Sequence, residues 1–160
     1  MATRYQAADV AACIINMAIE SGNRISNLQL QKILYFCQCK YIQQYQDKLF
    51  DDDIVAWQYG PVVRDVYYAY SYRGASWITE SDTTTIDKFS GKPRGIRSLS
   101  GDALKVVREV YDIFRGSSAW DLVNRSHVSG GAWDRVYNLH GKASGYGCVI
   151  PRDLMESERI

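Results

Sequence analysis

The chain has 160 residues, of which 46% are hydrophobic and 23% are charged, as in an ordinary folded protein rather than a disordered one. A chain of this length forms one compact domain by default, here spanning residues 1–160, and buries enough surface to fold without metals or disulfides. Lys and Arg number 19 and Asp and Glu number 18, so the formal net charge is +1. Such a balance argues against a general nucleic-acid-binding protein, because phosphate contacts need a basic surplus.

The sequence contains neither a membrane-spanning stretch nor an export signal. No segment approaches the roughly 20 apolar residues of a membrane helix, and residues 1–6 lead into no apolar signal core. The cysteines are too few for a disulfide scaffold. We therefore expect a cytoplasmic protein whose thiols are reduced, with no membrane partner; these thiols are Cys13, Cys37, Cys39 and Cys148.

The first third of the chain predicts a helical hairpin. Apolar residues recur at three- and four-residue steps over residues 7–19, which indicates an amphipathic helix. Gly22 suits the left-handed position beyond its last turn. Ser26 and Gln29 have the spacing of a capping box and open a second helix that reaches about Tyr45.

The middle of the chain predicts an extended insert followed by a third helix. Residues 54–59 are rich in β-branched and aromatic side chains, which is typical of a short strand. Pro61 suits the first position of a helix, which we expect to run to about Gly74. Residues 82–98 combine Gly, Pro and consecutive Thr residues and predict a flexible loop.

Further helices are predicted in the C-terminal half. Ser100 is a candidate N-cap for a helix that ends at Gly116, and Ser118 and Asp121 have the pattern of another capping box. Pro151 begins a last short helix. The predicted fold is therefore mainly α: a single compact helical domain with one small extended, β-type insert.

Metal-binding patterns are weak. Cys37 and Cys39 lie two residues apart on a predicted helix, which separates them by about 200° around its axis. Their thiols therefore cannot bind one metal ion from the same face. The acidic residues 51–53 could hold a hard cation, but three acids in a loop are expected to be solvated. No metal site and no cofactor are predicted.

Catalytic patterns are equally weak. The chain contains no phosphate-binding loop, no dinucleotide fingerprint and no paired-carboxylate motif. A nucleophile pair of Cys148 with His127 or His140 remains open, because the fold alone decides which thiol meets which imidazole. We expect a structural role for His127 and predict no enzyme.

Tyrosine is the unusual feature of the composition. The chain contains 12 tyrosines, five of them in residues 59–72, at helical spacings that place the rings on more than one face. Some of the rings must then lie at the surface, where Tyr and Arg are enriched in protein–protein contacts. Two alternative roles for the tyrosines are packing within the core alone and stacking on single-stranded nucleic acid. The predicted partner-binding residues are Tyr67, Tyr68, Tyr72 and Arg73.

Two blocks of sequence resemble a known family. The block LQLQKILYF at residues 28–36 is followed by AWQYGPVV at residues 56–63. In this order and separation the blocks are similar to those of the Panacea domain, also called the SocA-like or phage-associated GepA-like domain. Residues 99–100, residues 118–122, and residues 126–127 followed by 131–133 also resemble its C-terminal half, so the resemblance covers roughly residues 5–155, nearly the whole chain. The positions matching the two blocks are Gln31, Lys32, Tyr35, Trp57, Tyr59, Gly60 and Pro61.

The resemblance implies a mostly helical domain of bacterial and prophage toxin–antitoxin operons, without a known catalytic residue. Members neutralise a toxin encoded beside them by binding it, and some are adaptors that deliver the toxin to a protease. The implied function is that of an antitoxin-like binding protein with a cognate toxin as its partner. The alternatives are a proteolytic adaptor, with a protease as a second partner, and a phage-encoded inhibitor of a host protein.

Two matching positions are polar although their neighbours on the predicted second helix are apolar. Gln31 and Lys32 are therefore harder to explain as core residues than Tyr35, which suits helix packing. For Lys32 we expect the aliphatic stem to cover apolar surface while the ammonium group caps a carbonyl or meets an acid.

Overall fold

Helices dominate the computed structural model, which describes residues 5–138 and 147–160. The mainly α fold with a small β insert is confirmed. Within the described residues the helices are α1 (Ala7–Ser21), α2 (Asn27–Tyr45), α3 (Arg64–Tyr70), α4 (Gly101–Phe114), α5 (Ala119–Ser126), α6 (Ala132–Tyr137) and α7 (Arg152–Met155). A 3-10 turn, Ser71–Arg73, continues α3, and two antiparallel pairs contain the strands β1 (Val55–Trp57), β2 (Gly60–Val62), β3 (Thr84–Ile86) and β4 (Pro93–Gly95).

Helix α2 lies at the centre of the fold. Buried residues occur on every side of it from Asn27 to Ile42, because α1, α4, α5, α7 and β2 all pack around it. Its predicted capping box is confirmed: the Gln29 amide donates to Ser26 Oγ at 3.3 Å, and the Ser26 amide donates to Gln29 Oε1 at 2.8 Å. The left-handed end of α1 at Gly22, with φ of +72°, is also confirmed.

The cysteines of α2 belong to this core. Cys37 and Cys39 are both fully buried, and burial raises the pKa of both thiols. Across the described residues, no three side chains of His, Cys, Asp or Glu come together as a metal site. No helix within the described ranges is long and apolar enough to cross a bilayer.

The extended insert is a β-hairpin, and the helix predicted to start at Pro61 is wrong at its first residues. Pro61 lies in β2 opposite Ala56, and α3 begins only at Arg64. Ala56 directs its N–H and C=O groups away from β2, toward Cys148 and Gly147. The position opposite Ala56 therefore needs no ladder N–H, and a proline is accommodated there.

The segment predicted as a loop at residues 82–98 contains the second hairpin, β3–β4. Arg94 on β4 reaches the core, where its two terminal nitrogens donate to the two oxygens of Asp9 at 3.0 and 2.8 Å. The Asp9 carboxylate is fully buried on α1 and also accepts from the Arg97 amide at 2.8 Å. A long-range ion pair thus attaches this hairpin to α1.

The expectation that residues 51–53 are all solvated is wrong for the middle one. Asp52 is buried, and its Oδ1 accepts from the amide of Ala7 at 2.9 Å, at the first residue of α1. Its Oδ2 lies 2.6 Å from Nζ of Lys88. The carboxylate therefore satisfies a helix N–H that would otherwise lack a partner.

Candidate protein-binding surface

A polar network beneath the surface holds the start of α3 against α2. Oε1 of Gln31 accepts from the amide of Val63 at 3.0 Å, and Nε2 of Gln31 donates to Asn27. Nδ2 of Asn27 donates to the backbone oxygen of Tyr67 at 3.0 Å. Both amide side chains are buried, so each bond is protected from water and costly to break.

Lys32 supports the β1–β2 hairpin from the next position on α2. It is fully buried, and its Nζ donates to the backbone oxygen of Pro61 at 3.0 Å, which confirms the expected carbonyl cap. Burial lowers the pKa of Lys32 to about 7. The side chain lies directly under Gly60: a Cβ built on Gly60 would be 2.6 Å from Lys32 Cε and 2.6 Å from Ser126 Oγ.

Tyr35, one turn further along α2, attaches the C-terminal segment. Its ring is buried and its hydroxyl donates to Oε1 of Glu158 at 3.1 Å. The other oxygen of Glu158 accepts from the amide of Ala132, the first residue of α6. Burial raises the pKa of Tyr35 and of Glu158. The residues matching the first sequence block thus act inside the molecule rather than on its surface.

Above this network lies a group of exposed and half-exposed rings that we call the aromatic surface. Trp57 meets Tyr67 edge to face at a ring-centroid distance of 5.0 Å, and Tyr67 meets Tyr68 at 5.6 Å. Tyr59 meets Trp120 at 5.6 Å, also edge to face. These geometries fix the rings relative to one another. The aromatic surface consists of Trp57, Tyr59, Tyr67, Tyr68, Tyr72 and Trp120.

The aromatic surface borders a groove of about 600 Å³. The groove runs past the beginnings of α2 and α5 and the β1–β2 turn, and none of its lining residues is charged. Its size falls in the range of about 300–1,000 Å³ that is usual for binding sites. An apolar, ring-lined groove of this kind is suited to burying apolar groups of a partner.

The predicted partner-binding residues do not share one environment. Tyr68 and Tyr72 are 61% and 63% exposed, whereas Tyr67 is half-buried. Tyr70, on the same helix, is buried in the core. The side chain of Arg73 lies outside the described part of the structure. The rings of this stretch are therefore divided between the core and the surface.

Trp120 was missed by the sequence reasoning. It is 60% exposed and lies in the first turn of α5, directly after the capping residue Ser118 and Ala119. Helical spacing gave no signal, because Trp120 lies two residues before the buried Leu122 but only three before the buried Val123, a separation that would place it on the buried face.

His127 has a structural environment. Its ring stacks on Trp133 at a centroid distance of 3.7 Å, and Nε1 of Trp133 donates to the backbone oxygen of Trp57 at 2.8 Å. Burial, followed by the nearby charge of Lys32, lowers the pKa of His127. His140, the other histidine considered for a nucleophile pair, lies outside the described residues.

Cys148 serves the β insert through its backbone. Its carbonyl accepts from the Ala56 amide at 2.9 Å, and Val149 bridges to Val55, so residues 147–150 lie along β1 as a third extended segment. The side chain of Cys148 is exposed.

The fold and the site define a helical domain whose buried polar motif supports an aromatic surface. The model of the family described as "Antitoxin SocA-like, Panacea domain" matches residues 30–134. The chain is also 32% identical over 147 residues to the protein "Antitoxin SocA" of Caulobacter vibrioides (strain NA1000 / CB15N), covering 88% of this chain and 75% of that protein. No solved structure matches the chain. The chain belongs to the antitoxin SocA-like family and contains its Panacea domain.

Proposed function

We propose that this chain is an antitoxin, without catalytic activity of its own, that neutralises a cognate bacterial or prophage toxin by direct protein–protein contact. Family membership and the identity shared with Antitoxin SocA support the antitoxin role. Neutralisation by contact requires only a stable complex that covers the toxin's active or binding surface. A standard interface of about 1,600 Å² in total is sufficient for that purpose.

One observation supports this choice of contact surface: Tyr68 and Tyr72 are exposed. They lie beside the edge-to-face pair of Trp57 and Tyr67. Rings that are exposed yet fixed by their neighbours contribute contact area at low entropic cost. The proposed contact residues are Tyr67, Tyr68 and Tyr72, with Arg73 as a further contact expected from the sequence.

The test uses the purified product of the neighbouring gene as the toxin. The unaltered chain is expected to form a complex with it and to restore growth of cells that express it. The double substitution Tyr68→Ala and Tyr72→Ala is expected to weaken the complex at least tenfold, as measured by calorimetry, because Tyr is enriched among hot-spot residues, whose truncation costs about 2 kcal/mol or more. The melting temperature should fall by only a few degrees, because the edge-to-face contacts of Tyr68 with Trp57 and Tyr67 are worth about 0.5–1.5 kcal/mol each.

Tyr45→Ala is the matched control, because Tyr45 is an exposed tyrosine at the far end of α2. It should leave the affinity unchanged. Equal affinities of the double variant and the unaltered chain would place the contact on another face. A complex that forms while the lifetime of the toxin in cells shortens would indicate delivery to a protease instead of neutralisation by contact alone.

A further inference from the structure

The tip of the β3–β4 hairpin presents the most exposed of the large apolar side chains in the described residues. Phe89 is 98% exposed, and Ile86 at the end of β3 is 55% exposed. A phenyl group buries about 150–250 Å² when it enters an apolar site. Full exposure of this ring leaves all of that area available for a partner.

The backbone that carries Phe89 is nevertheless well fixed. Oδ1 of Asp87 accepts from the Phe89 amide at 3.2 Å, and Oδ2 accepts from the Ser90 hydroxyl at 3.1 Å. The backbone of Asp87 also accepts from Gly91 and donates to the carbonyl of Lys92, both at 2.8 Å. The ring therefore projects from a turn with a defined conformation, which lowers the entropic cost of inserting it into a partner.

The hairpin is attached to the body of the protein on both strands. On β4, the Arg94–Asp9 ion pair described above reaches into the core. Directly after β3, Nζ of Lys88 lies 2.6 Å from Asp52 and 3.0 Å from Asp65. These contacts hold the hairpin tip in a fixed position relative to α1 and α3.

An ion pair also connects the hairpin tip to α3, the helix that carries Tyr68. Lys88 is the residue before Phe89, and its partner Asp65 lies in the first turn of α3. Tyr68 follows Asp65 by three residues, so both side chains occupy the same face of that helix. A partner bound over Tyr68 and Tyr72 would extend along this face toward Phe89.

We propose that Phe89 is an anchor residue for the toxin: its ring inserts into an apolar pocket of the toxin, and Lys92 faces an acidic group at the rim. Lys92 is exposed on the other side of the same turn, which places a positive charge close to the ring. Aromatic anchors that fill pockets dominate the energetics of protein interfaces. This inference rests on the proposed function and adds a contact point to it.

The experiment measures the affinity of the full chain for the neighbouring-gene product used above. Phe89→Ala is expected to weaken the complex at least tenfold, whereas Phe89→Leu, which still fills an apolar pocket, should retain most of the affinity. Lys92→Glu is expected to weaken the complex several-fold, with the loss reduced at high salt. None of these changes should lower the melting temperature, because Phe89 is 98% exposed and Lys92 is exposed as well.

Ile113→Ala is the matched control, since Ile113 is an exposed apolar residue on α4, and it should bind like the unaltered chain. If Phe89→Ala binds as tightly as the unaltered chain, the anchor is wrong while the antitoxin proposal stands. If the unaltered chain forms no complex, both are wrong. If the free chain is a dimer that Phe89→Ala dissociates, a second copy occupies the ring and the proposal is overturned.

Discussion

Gln31 and Asn27 lie one turn apart on α2, and Nε2 of Gln31 donates to Oδ1 of Asn27 at 3.0 Å. Gln31 also accepts a hydrogen bond from the Val63 amide, and Asn27 donates one to the Tyr67 carbonyl. Val63 and Tyr67 are four residues apart and enclose the first turn of α3. This pair therefore sets the position of Tyr67 and Tyr68 relative to the core. The family motif supports the aromatic surface from below.

We expect Gln31→Leu to lower the free energy of unfolding by about 2–4 kcal/mol. The substitution leaves two buried groups, the Val63 amide and Asn27 Oδ1, without the partner they have now, at about 1–3 kcal/mol each. Urea unfolding measures this loss. Gln44→Leu is the control, because Gln44 is an exposed residue of the same helix. Equal stabilities of the two variants would contradict the role given to Gln31.

Gly60→Ala is expected to destabilise the chain by more than 2 kcal/mol. Gly60 has φ of +113°, a conformation that other residues rarely adopt, and the added Cβ would also collide with Lys32 and Ser126. Gly22→Ala is the comparison: Gly22 also has positive φ but nothing within 4 Å of an added Cβ. It should cost only about 1 kcal/mol. A cost at Gly60 no greater than at Gly22 would show that Lys32 does not crowd the turn.

Lys32 gives stability a pH dependence. In the unfolded chain a lysine stays protonated up to a pKa of about 10.4, whereas burial lowers the pKa of Lys32 to about 7 in the folded chain. Between these values the unfolded state binds more protons, so stability rises with pH and the gain is lost as pH falls toward 7.

The size of this change in stability follows from the free energy of one bound proton, about 1.4 kcal/mol per pH unit. From pH 7 to pH 8.5 the unaltered chain should gain about 1.5 kcal/mol relative to Lys32→Met, which lacks the titrating group, because Lys32 is still half protonated in the folded chain at pH 7. Urea unfolding of both proteins at the two pH values gives this difference directly. The other titratable groups are present in both proteins, so their contributions cancel in the comparison. Parallel pH profiles of the two proteins would mean that Lys32 keeps an ordinary pKa in the fold.

Arg94→Met is expected to destabilise the chain by about 2–4 kcal/mol. It leaves the Asp9 carboxylate fully buried with only backbone amides as donors, and breaking a buried ion pair from one side is costly. Amide hydrogen exchange over residues 84–95 should quicken more than exchange in α2. Asp9→Asn combined with Arg94→Met should recover part of the loss, and a purely additive loss would argue against the pair.

Local chemistry made the helices predictable from the sequence. Ser26 with Gln29, and Ser118 with Asp121, satisfy helix N–H groups by contacts over three residues, so their pattern is visible without knowledge of the fold. The same holds for Gly22. The sequence predicted that the tyrosines are divided between the core and the surface, because their helical spacing places them on several faces. It did not predict which tyrosines are buried, because the face that meets the core depends on neighbouring elements.

Long-range partners decided the rest. Pro61 has the sequence pattern of a helix start, and its place in a strand depends on Ala56, which directs its hydrogen bonds toward Cys148, more than 90 residues further along the chain. Asp52 reads as a solvated acid because its partners, Ala7 and Lys88, are distant in sequence. Burial of Lys32 follows from the helices that surround α2 on all sides.

Residues 147–150, which pair with β1, are part of the unit that folds. The family model matches residues 30–134, yet the Ala56 amide and carbonyl are paired by residues 147–148, and Ile14 and Ile15 of α1 are fully buried against the core. A fragment limited to residues 30–134 would lack the segment that pairs with the edge of β1. It would also lack α1, so one apolar side of α2 would be exposed to solvent. The smallest piece able to fold alone is therefore longer at both ends than the stretch by which relatives are recognised.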